Sequence, residues 1–191
     1  IPDITPPITH LHKNLVPYIT NANDMYSAFI KFWLTAEDIK GESDGIATGV
    51  DKTFINIDNT GFIEYSNQLI NSFTEAQHNL KYFSIDKIPN YETTNVYEFL
   101  VDTTMPATAA EIRNSFNQII SVNPTNLIGS GFTLRLMGTD PVSTGVSSGL
   151  NRIEYKLNNG SWSIYTYPVN LDTLPNGYSS ISYRSIDNVN N

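Results

Sequence analysis

Short stretches in which apolar and polar residues alternate occur along the whole chain, and such alternation is typical of half-buried β-strands. Phe132, Leu134 and Leu136 alternate with polar side chains. Further strands are predicted over residues 29–34, 80–85, 96–101 and 181–186. Short strands separated by Gly, Asn and Pro predict antiparallel β-sandwiches rather than βαβ units.

The same pattern occurs twice, in the same order. Five segments recur with an offset of 99 to 102 residues. They are DITPP and DTTMP, FIKFWLTAED and FTLRLMGTD, SDGIATGV and STGVSSGL, FINIDNTGFIEY and IEYKLNNGSWSIY, and LKYFSID and ISYRSID. Five ordered matches at one offset indicate an internal duplication. We therefore predict two modules, residues 1–101 with a leading linker and residues 102–191.

Two kinds of turn are predicted from polar residues between strands. Asn159-Gly160 is typical of a hairpin turn because both residues tolerate a positive φ. This turn would set Trp162 opposite Leu157, in the core. Two aspartates are expected to shape the turn that follows a late strand in each module: Asp86 and Asp187.

The second module departs from the first at both ends. Residues 108–111 have the form of a capping box, and Ile112, Phe116 and Ile119 follow at helical spacing, which predicts a short helix near residues 109–120. No counterpart of the strand at 96–101 follows Asp187. We therefore expect the second module to lack its last strand and to accept one from outside.

Composition narrows the function classes. The 191 residues carry a formal net charge of −8 without a basic cluster, which disfavours nucleic acid and anionic membrane surfaces as partners. Cysteine is absent, so disulfides and thiolate chemistry are excluded. No apolar run approaches the ~20 residues that span a bilayer, so membrane insertion is not expected. Neither a G-x-S-x-G elbow nor a facing carboxylate pair is recognisable, and we do not expect an enzyme.

Four acids crowd one loop of the first module: Glu37, Asp38, Glu42 and Asp44. Oxygen-rich loops can bind Ca²⁺, which takes six to eight hard ligands. The alternative is a solvated loop in which Asp38 accepts backbone hydrogen bonds. The second module keeps only Asp140 of this set, which favours a structural role for Asp38 and Asp140.

Two other groups of side chains are candidate binding sites. Tyr165 and Tyr167 could contact a glycan through their rings, although exposed aromatic residues also serve packing or partner contact. His10 and His12 would share one face of a strand and could bind zinc, but the sequence shows no third ligand. No cofactor is required by any of these patterns.

This order of motifs resembles bacterial immunoglobulin-like repeats of large secreted or surface-anchored proteins. The motifs are, in sequence, D-T-T-x-P, T-x-D, S-x-G, I-x-Y-x-L-N-N-G-x-W-x-x-Y and Y-R-S-I-D. The resemblance implies two tandem immunoglobulin-like antiparallel β-sandwiches. It also implies a structural or adhesive role, extracellular or at the cell surface, as a spacer or within a filament or layer. The partners would be other modules or subunits of the same assembly. The alternative function is a carbohydrate-binding accessory module of a secreted enzyme.

Overall fold

The computed structural model describes residues 2–15, 18–20, 24–43, 45–120 and 128–191 of an all-β chain. The chain forms two compact units. Unit 1 comprises Ile1–Thr103 with Thr144–Val146, and unit 2 comprises Thr104–Ser143 with Ser147–Asn191. Within the described residues, no helix is long and apolar enough to cross a membrane.

Unit 1 contains two sheets in its described part. The strands are β1 (Ile8–Lys13), β2 (Tyr18–Thr20), β3 (Asp24–Tyr26), β4 (Phe32–Glu37), β5 (Val50–Ile57), β6 (Ile63–Glu64), β7 (Ala76–Asp86) and β8 (Asn95–Val101). One sheet pairs β1 with β4, and the other has the order β2-β3-β8-β7-β5-β6. β3 and β8 are parallel, and the other pairs in this unit are antiparallel.

The core of unit 1 follows from the period of two along each strand. From His78 to Asp86, every second residue of β7 is buried. Phe32 of β4 contacts Phe99 of β8, with ring centroids 4.9 Å apart, so the core joins strands of both sheets. The buried cluster comprises Tyr26, Ile30, Phe32, Leu34, Ile55, Tyr65, Ile70, Phe73, Leu80, Tyr82, Phe99 and Val101.

Unit 2 also contains two sheets in its described part. The strands are β9 (Ala107–Arg113), β10 (Ile119–Ile120), β11 (Thr133–Thr139), β12 (Leu150–Leu157), β13 (Ser163–Ile164), β14 (Val169–Asn170) and β15 (Ile181–Asp187), with a 3₁₀ turn at Leu171–Thr173. The sheet orders are β10-β9-β11-β14 and β13-β12-β15. The buried cluster comprises Ile112, Leu134, Leu136 and Leu171.

The two units repeat one plan of strand pairing. β5 pairs with β7 from Val50 opposite Asp86, with a register shift before Lys52. β12 pairs with β15 from Leu150 opposite Asp187, with the register shift at the equivalent place. Because a bulge fixes both twist and register, the two units have the same local structure at this strand pair.

The helix predicted near residues 109–120 is wrong. Ala107–Arg113 form β9, which pairs with β11 at seven successive positions. Ala110 and Ile112 pack against the core cluster two residues apart, as strand geometry requires. Pairing with the neighbouring strand therefore overrides the local capping pattern. Phe116, predicted on the apolar helix face, is 82% exposed in the turn after β9.

The predicted hairpin of unit 2 is displaced by one residue. The turn is centred on Asn158 and Asn159, and it closes with the Gly160 N–H donating to the Leu157 carbonyl at 3.0 Å. Asn158 rather than Gly160 has the positive φ, of 51°. A slip of one residue reverses the face of a side chain. Trp162 is consequently 38% exposed, outside the core to which it was assigned.

Candidate metal centre

Three aspartates of unit 1 meet beyond the ends of β4 and β7. Asp3 precedes β1, Asp38 follows β4, and Asp86 is the last residue of β7. One carboxylate oxygen of each lies within 4.8 Å of one from each of the others. Asp3 and Asp86 are only 3% and 1% exposed, and Asp38 is partly buried. The fold thus collects three carboxylates that are far apart in the sequence.

Backbone amides hold the first two carboxylates in place. Asp3 accepts hydrogen bonds from the Thr5 N–H at 3.2 Å, the Thr48 N–H at 2.7 Å and the Thr48 hydroxyl at 2.9 Å. Oδ2 of Asp38 accepts from the Gly49 N–H at 2.6 Å. Gly49 has a φ of +86°, which aims its N–H at Asp38 and favours glycine there.

The third carboxylate shapes the turn after β7. Oδ1 of Asp86 accepts from the backbone N–H groups of Ile88 at 3.0 Å and Asn90 at 2.8 Å. Oδ2 accepts from the Asn90 side-chain amide at 2.6 Å. The same amide also donates to the Asp3 carbonyl at 3.3 Å, so Asn90 links two members of the cluster.

One oxygen of the cluster is buried and has no hydrogen-bond partner. Oδ1 of Asp38 is inaccessible to solvent and accepts no hydrogen bond within the described residues. No ion pair to any of the three carboxylates is found in that part of the chain either. Buried anions are normally paired or bound to a cation. The arrangement therefore has unbalanced negative charge together with a free acceptor.

Unit 2 repeats these contacts. Oδ2 of Asp140 accepts from the Gly149 N–H at 2.7 Å, and its Oδ1 is buried without a hydrogen-bond partner in the described residues. Oδ1 of Asp187 accepts from the N–H groups of Val189 at 3.0 Å and Asn191 at 2.8 Å. A carboxylate oxygen of Asp140 lies within 4.8 Å of one of Asp187. Equivalent aspartates of the two units therefore accept equivalent backbone hydrogen bonds.

The donor set matches a hard cation. All three side chains of the unit 1 cluster offer oxygen, which Ca²⁺ and Mg²⁺ prefer, whereas zinc sites in proteins usually include nitrogen or sulfur. Calcium–oxygen distances of about 2.3–2.6 Å put opposite ligands of one ion about 4.6–5.2 Å apart and adjacent ligands closer. Separations of up to 4.8 Å between the Asp3, Asp38 and Asp86 oxygens fit one shared Ca²⁺ ion.

The acidic loop predicted as a calcium site contributes one member to this cluster. Asp38 belongs to it, whereas Glu37 accepts a hydrogen bond from Nε2 of the exposed His10 at 3.1 Å. Glu42 is exposed on the loop, and Asp44 lies outside the described residues. Sequence reasoning missed Asp3. The signal was present, because the matching segments DITPP and DTTMP both begin with an aspartate.

The histidine pair does not assemble a zinc site in the described residues. His10 and His12 lie on β1 with ring centroids 6.5 Å apart. Nε2 of His12 hydrogen-bonds the Thr35 hydroxyl at 2.7 Å, and its ring stacks on Trp33 at 5.5 Å. In that part of the chain, neither histidine belongs to a group of three metal-ligating side chains.

The tyrosines proposed for glycan contact lie in different environments. Tyr165 packs against the core of unit 2, with its ring 6.3 Å from that of Tyr155. Tyr167 is 78% exposed. Trp162 is covered on one face by the Arg184 guanidinium, 4.3 Å from the ring centroid.

Two carboxylates outside the aspartate cluster have shifted pKa values. Hydrogen bonds from Arg152 and Arg184, at 2.7 and 2.8 Å, hold the pKa of Glu154 below its usual range. Burial by itself would raise the pKa of Asp24, but hydrogen bonds from Tyr97 and other neighbours lower it overall. Both groups are therefore stabilised as anions by specific donors.

Comparisons of the chain with protein-family models, with curated proteins and with solved structures find no match.

Proposed function

We propose that the chain is a tandem pair of immunoglobulin-like β-sandwich modules that serves as a structural or adhesive segment of an extracellular bacterial surface protein. The observation that supports this most directly is the recurrence of one strand register, bulge included, in both units. Arrays of one repeated module typically build length or binding surface by stacking copies. The segment acts as a spacer or as a building block of a filament or layer, with other modules or subunits as its partners.

Single-molecule force spectroscopy on the full chain tests the mechanical part of this proposal. A load-bearing pair of modules is expected to unfold in two separate events, each releasing about 300 Å of chain, since an extended residue spans ~3.3–3.6 Å. Unfolding below the force at which unstructured chains stretch, without distinct events, would contradict a mechanical role.

A glycan array distinguishes the alternative function. A structural segment gives no signal above background, and a carbohydrate-binding module retains a defined glycan class. The variant Tyr167→Ala serves as the matched control, because Tyr167 is the strongly exposed member of the tyrosine pair. Binding that this substitution abolishes would replace the structural proposal with the carbohydrate-binding one.

We also propose that Asp3, Asp38 and Asp86 bind Ca²⁺, which would neutralise their charge and join the segment before β1 to the ends of β4 and β7. Two independent observations support this. The three carboxylates converge within 4.8 Å, and the buried Oδ1 of Asp38 lacks a hydrogen-bond partner in the described residues. A bound ion would make the module stiffer, in keeping with a structural role.

A further inference from the structure

Two Asn-Gly dipeptides occur in unit 2, and the structure places them in different surroundings. One is Asn159-Gly160, in the turn between β12 and β13, and the other is Asn176-Gly177, between the 3₁₀ turn and β15. The backbone nitrogen that follows an asparagine can attack the carbon of the side-chain amide. Glycine hinders this attack least, because it has no Cβ. Both dipeptides therefore contain the groups that the reaction requires.

Hydrogen bonds hold the first dipeptide in place. The Gly160 N–H, whose nitrogen would be the nucleophile, donates to the Leu157 carbonyl at 3.0 Å. The neighbouring Asn158 is bonded twice to Ser180: its N–H donates to the Ser180 carbonyl at 2.7 Å, and its side-chain oxygen accepts from the Ser180 N–H at 2.8 Å. Attack by the Gly160 nitrogen would therefore break the hydrogen bond that closes the turn and move a segment that these contacts fix.

The second dipeptide has no such contacts. Within the described part of the chain, neither Asn176 nor Gly177 takes part in a hydrogen bond. Residues 175–180 are all exposed, and the side chain of Tyr178 is 98% exposed, so water reaches the whole segment. A Cβ built on Gly177 would meet no atom within 4 Å. The nucleophile, the carbon that it would attack and the amide leaving group are thus all accessible to solvent.

The segment around Asn176 can also change its backbone conformation at little cost. Gly177 has a φ of +107°, in the region that favours glycine. The nearest hydrogen bonds on either side are those of Leu174, whose N–H donates to the Leu171 carbonyl at 3.1 Å, and those of Ser180. Among the described residues, none of 175–179 takes part in a hydrogen bond. These residues can therefore turn into the geometry of ring closure without breaking a hydrogen bond.

We infer that Asn176 is a site of spontaneous deamidation in the folded chain, and that the hairpin turn protects Asn159 from the same reaction. The Gly177 nitrogen bonds to the side-chain amide carbon of Asn176, ammonia leaves, and a cyclic succinimide forms. Water then opens this ring. Cleavage of the side-chain carbon–nitrogen bond gives aspartate, and cleavage of the main-chain carbon–nitrogen bond gives isoaspartate. In total, asparagine and water are converted to one of these two products and ammonia.

Either product places a carboxylate where a neutral amide stood. Because an exposed aspartate is ionised at neutral pH, unit 2 gains one negative charge. The isoaspartate product also lengthens the main chain by one carbon between the 3₁₀ turn and β15. Hydrogen bonds at Leu174 and Ser180 bracket the segment, so the change stays outside both sheets of unit 2. The inference depends on the geometry of unit 2 and holds whether or not the chain has a surface role.

Timed incubation of the full chain in mildly alkaline buffer, followed by tryptic peptide mapping against an unincubated sample, tests the inference. Both dipeptides lie in one tryptic peptide, residues 157–184, so tandem mass spectrometry compares them within the same molecule. Asn176 should be converted at least about fivefold faster than Asn159, the rate equivalent of the one backbone hydrogen bond that Gly160 must break. Equal rates, or faster conversion of Asn159, would overturn the inference.

Two controls separate the effect of the fold from that of the local sequence. In urea the hydrogen bond of Gly160 is lost, and the two asparagines should be converted at similar rates. A difference that persists in urea would show that the turn does not protect Asn159. Asn176→Ser removes the reactive amide in an exposed segment, so the acidic species that isoelectric focusing detects in the incubated wild type should be absent. If this variant becomes acidic as fast as the wild type, another residue reacts and the inference fails.

Discussion

The carboxylate of Asp38 is held at one oxygen and left without a partner at the other. Its Oδ2 accepts from Gly49, and its buried Oδ1 accepts nothing in the described residues, although two further carboxylates lie within 4.8 Å. An unsatisfied buried acceptor costs about 1–3 kcal/mol, and neighbouring like charges add to that. A bound cation removes both penalties, which is why the calcium proposal can be tested at this residue.

Asp38→Asn is expected to change stability in opposite directions with and without calcium. In chelator the variant should be more stable than the wild type, because one of three neighbouring negative charges is removed. With free Ca²⁺ at about 100 times the Kd, the wild type should gain ~2.7 kcal/mol, and the variant should gain much less. Chemical denaturation, monitored by hydrogen exchange of the β7 amides, measures the stability of unit 1 in chelator and with calcium.

The control for this experiment is Glu42→Gln. Glu42 belongs to the same acidic loop but is exposed, so its substitution removes a charge without touching the cluster. The calcium response of this variant should equal that of the wild type. An equal loss in both variants would mean that the loop attracts calcium by its general charge, and no response in the wild type would refute the site.

Glu154 predicts an acid-dependent loss of stability in unit 2. Because Arg152 and Arg184 lower its folded pKa below 4.5, the group stabilises the fold above its unfolded pKa. This contribution is lost as the pH falls from about 4.5 through the lower folded pKa. Thermal melts of wild type and Glu154→Gln should differ at pH 7 and converge once the pH has fallen below the lowered folded pKa of Glu154. A constant difference across this range would show that ionisation of Glu154 does not contribute to the stability of unit 2.

Among the elements, the strands whose alternation is visible locally were predictable. The alternation at Phe132, Leu134 and Leu136 gives β11, whereas the strand predicted over residues 29–34 is displaced, because β4 begins at Phe32 and Phe29 is exposed before it. β9 was not predictable from its own residues, because Thr108 and Glu111 form a helix-capping pattern that only pairing with β11 overrides. The matching segment of unit 1 forms β1. Comparison with that segment distinguishes a strand from a helix at β9.

The site was predictable only in part, for a related reason. Asp38 was singled out by its acidic neighbours in the sequence, whereas its partners Asp3 and Asp86 are brought to it by the fold. The position of Trp162 was predicted wrongly because the register of its hairpin was. A turn displaced by one residue moved its ring from the predicted core position to the surface, beside Arg184.

Gly138 of β11 is expected to tolerate no larger residue. A Cβ built there would lie 2.6 Å from the Ser185 Oγ and 2.9 Å from a Leu150 methyl carbon, both belonging to the other sheet of unit 2. Gly138→Ala should therefore destabilise unit 2 by about 1 kcal/mol or more, since overpacking typically costs 1–3 kcal/mol. Urea denaturation measures the change.

The equivalent position in unit 1 supplies the control for this prediction. Ala36 of β4 is the counterpart of Gly138, and unit 1 already accommodates its methyl group. Ala36→Gly should cost unit 1 only about 0.5–1 kcal/mol, the usual effect of glycine in a strand. A stabilising effect of Gly138→Ala would show that the two sheets can separate freely at this position.

At the scale of the whole molecule, the two units differ in the size of their cores. In the described residues, twelve buried side chains form the cluster of unit 1 and four form that of unit 2. Since burial of apolar surface is the main stabilising term, we expect unit 2 to unfold at a lower temperature than unit 1.

Calorimetry of the full chain tests this order. Leu136→Ala should lower the first transition and Phe99→Ala the second, each by about 2–5 kcal/mol of unfolding free energy in its own unit. Hydrogen exchange assigns each transition to its strands. A single transition that both substitutions shift equally would show that the units do not unfold separately.

The position of β8 in its sheet has a consequence for how the chain is made. β8 is the last strand of unit 1 in the sequence, yet it lies inside the sheet, between β3 and β7. Asp24 of β3 is opposite Phe99 of β8, so this pairing closes a long loop and is slow to form. During synthesis, a nascent unit 1 must therefore wait with an open β7 edge until residue 101 has left the ribosome. In that interval a free strand of suitable sequence would compete with β8 for the open edge of β7, so this edge is where unit 1 is most exposed to incorrect strand pairing.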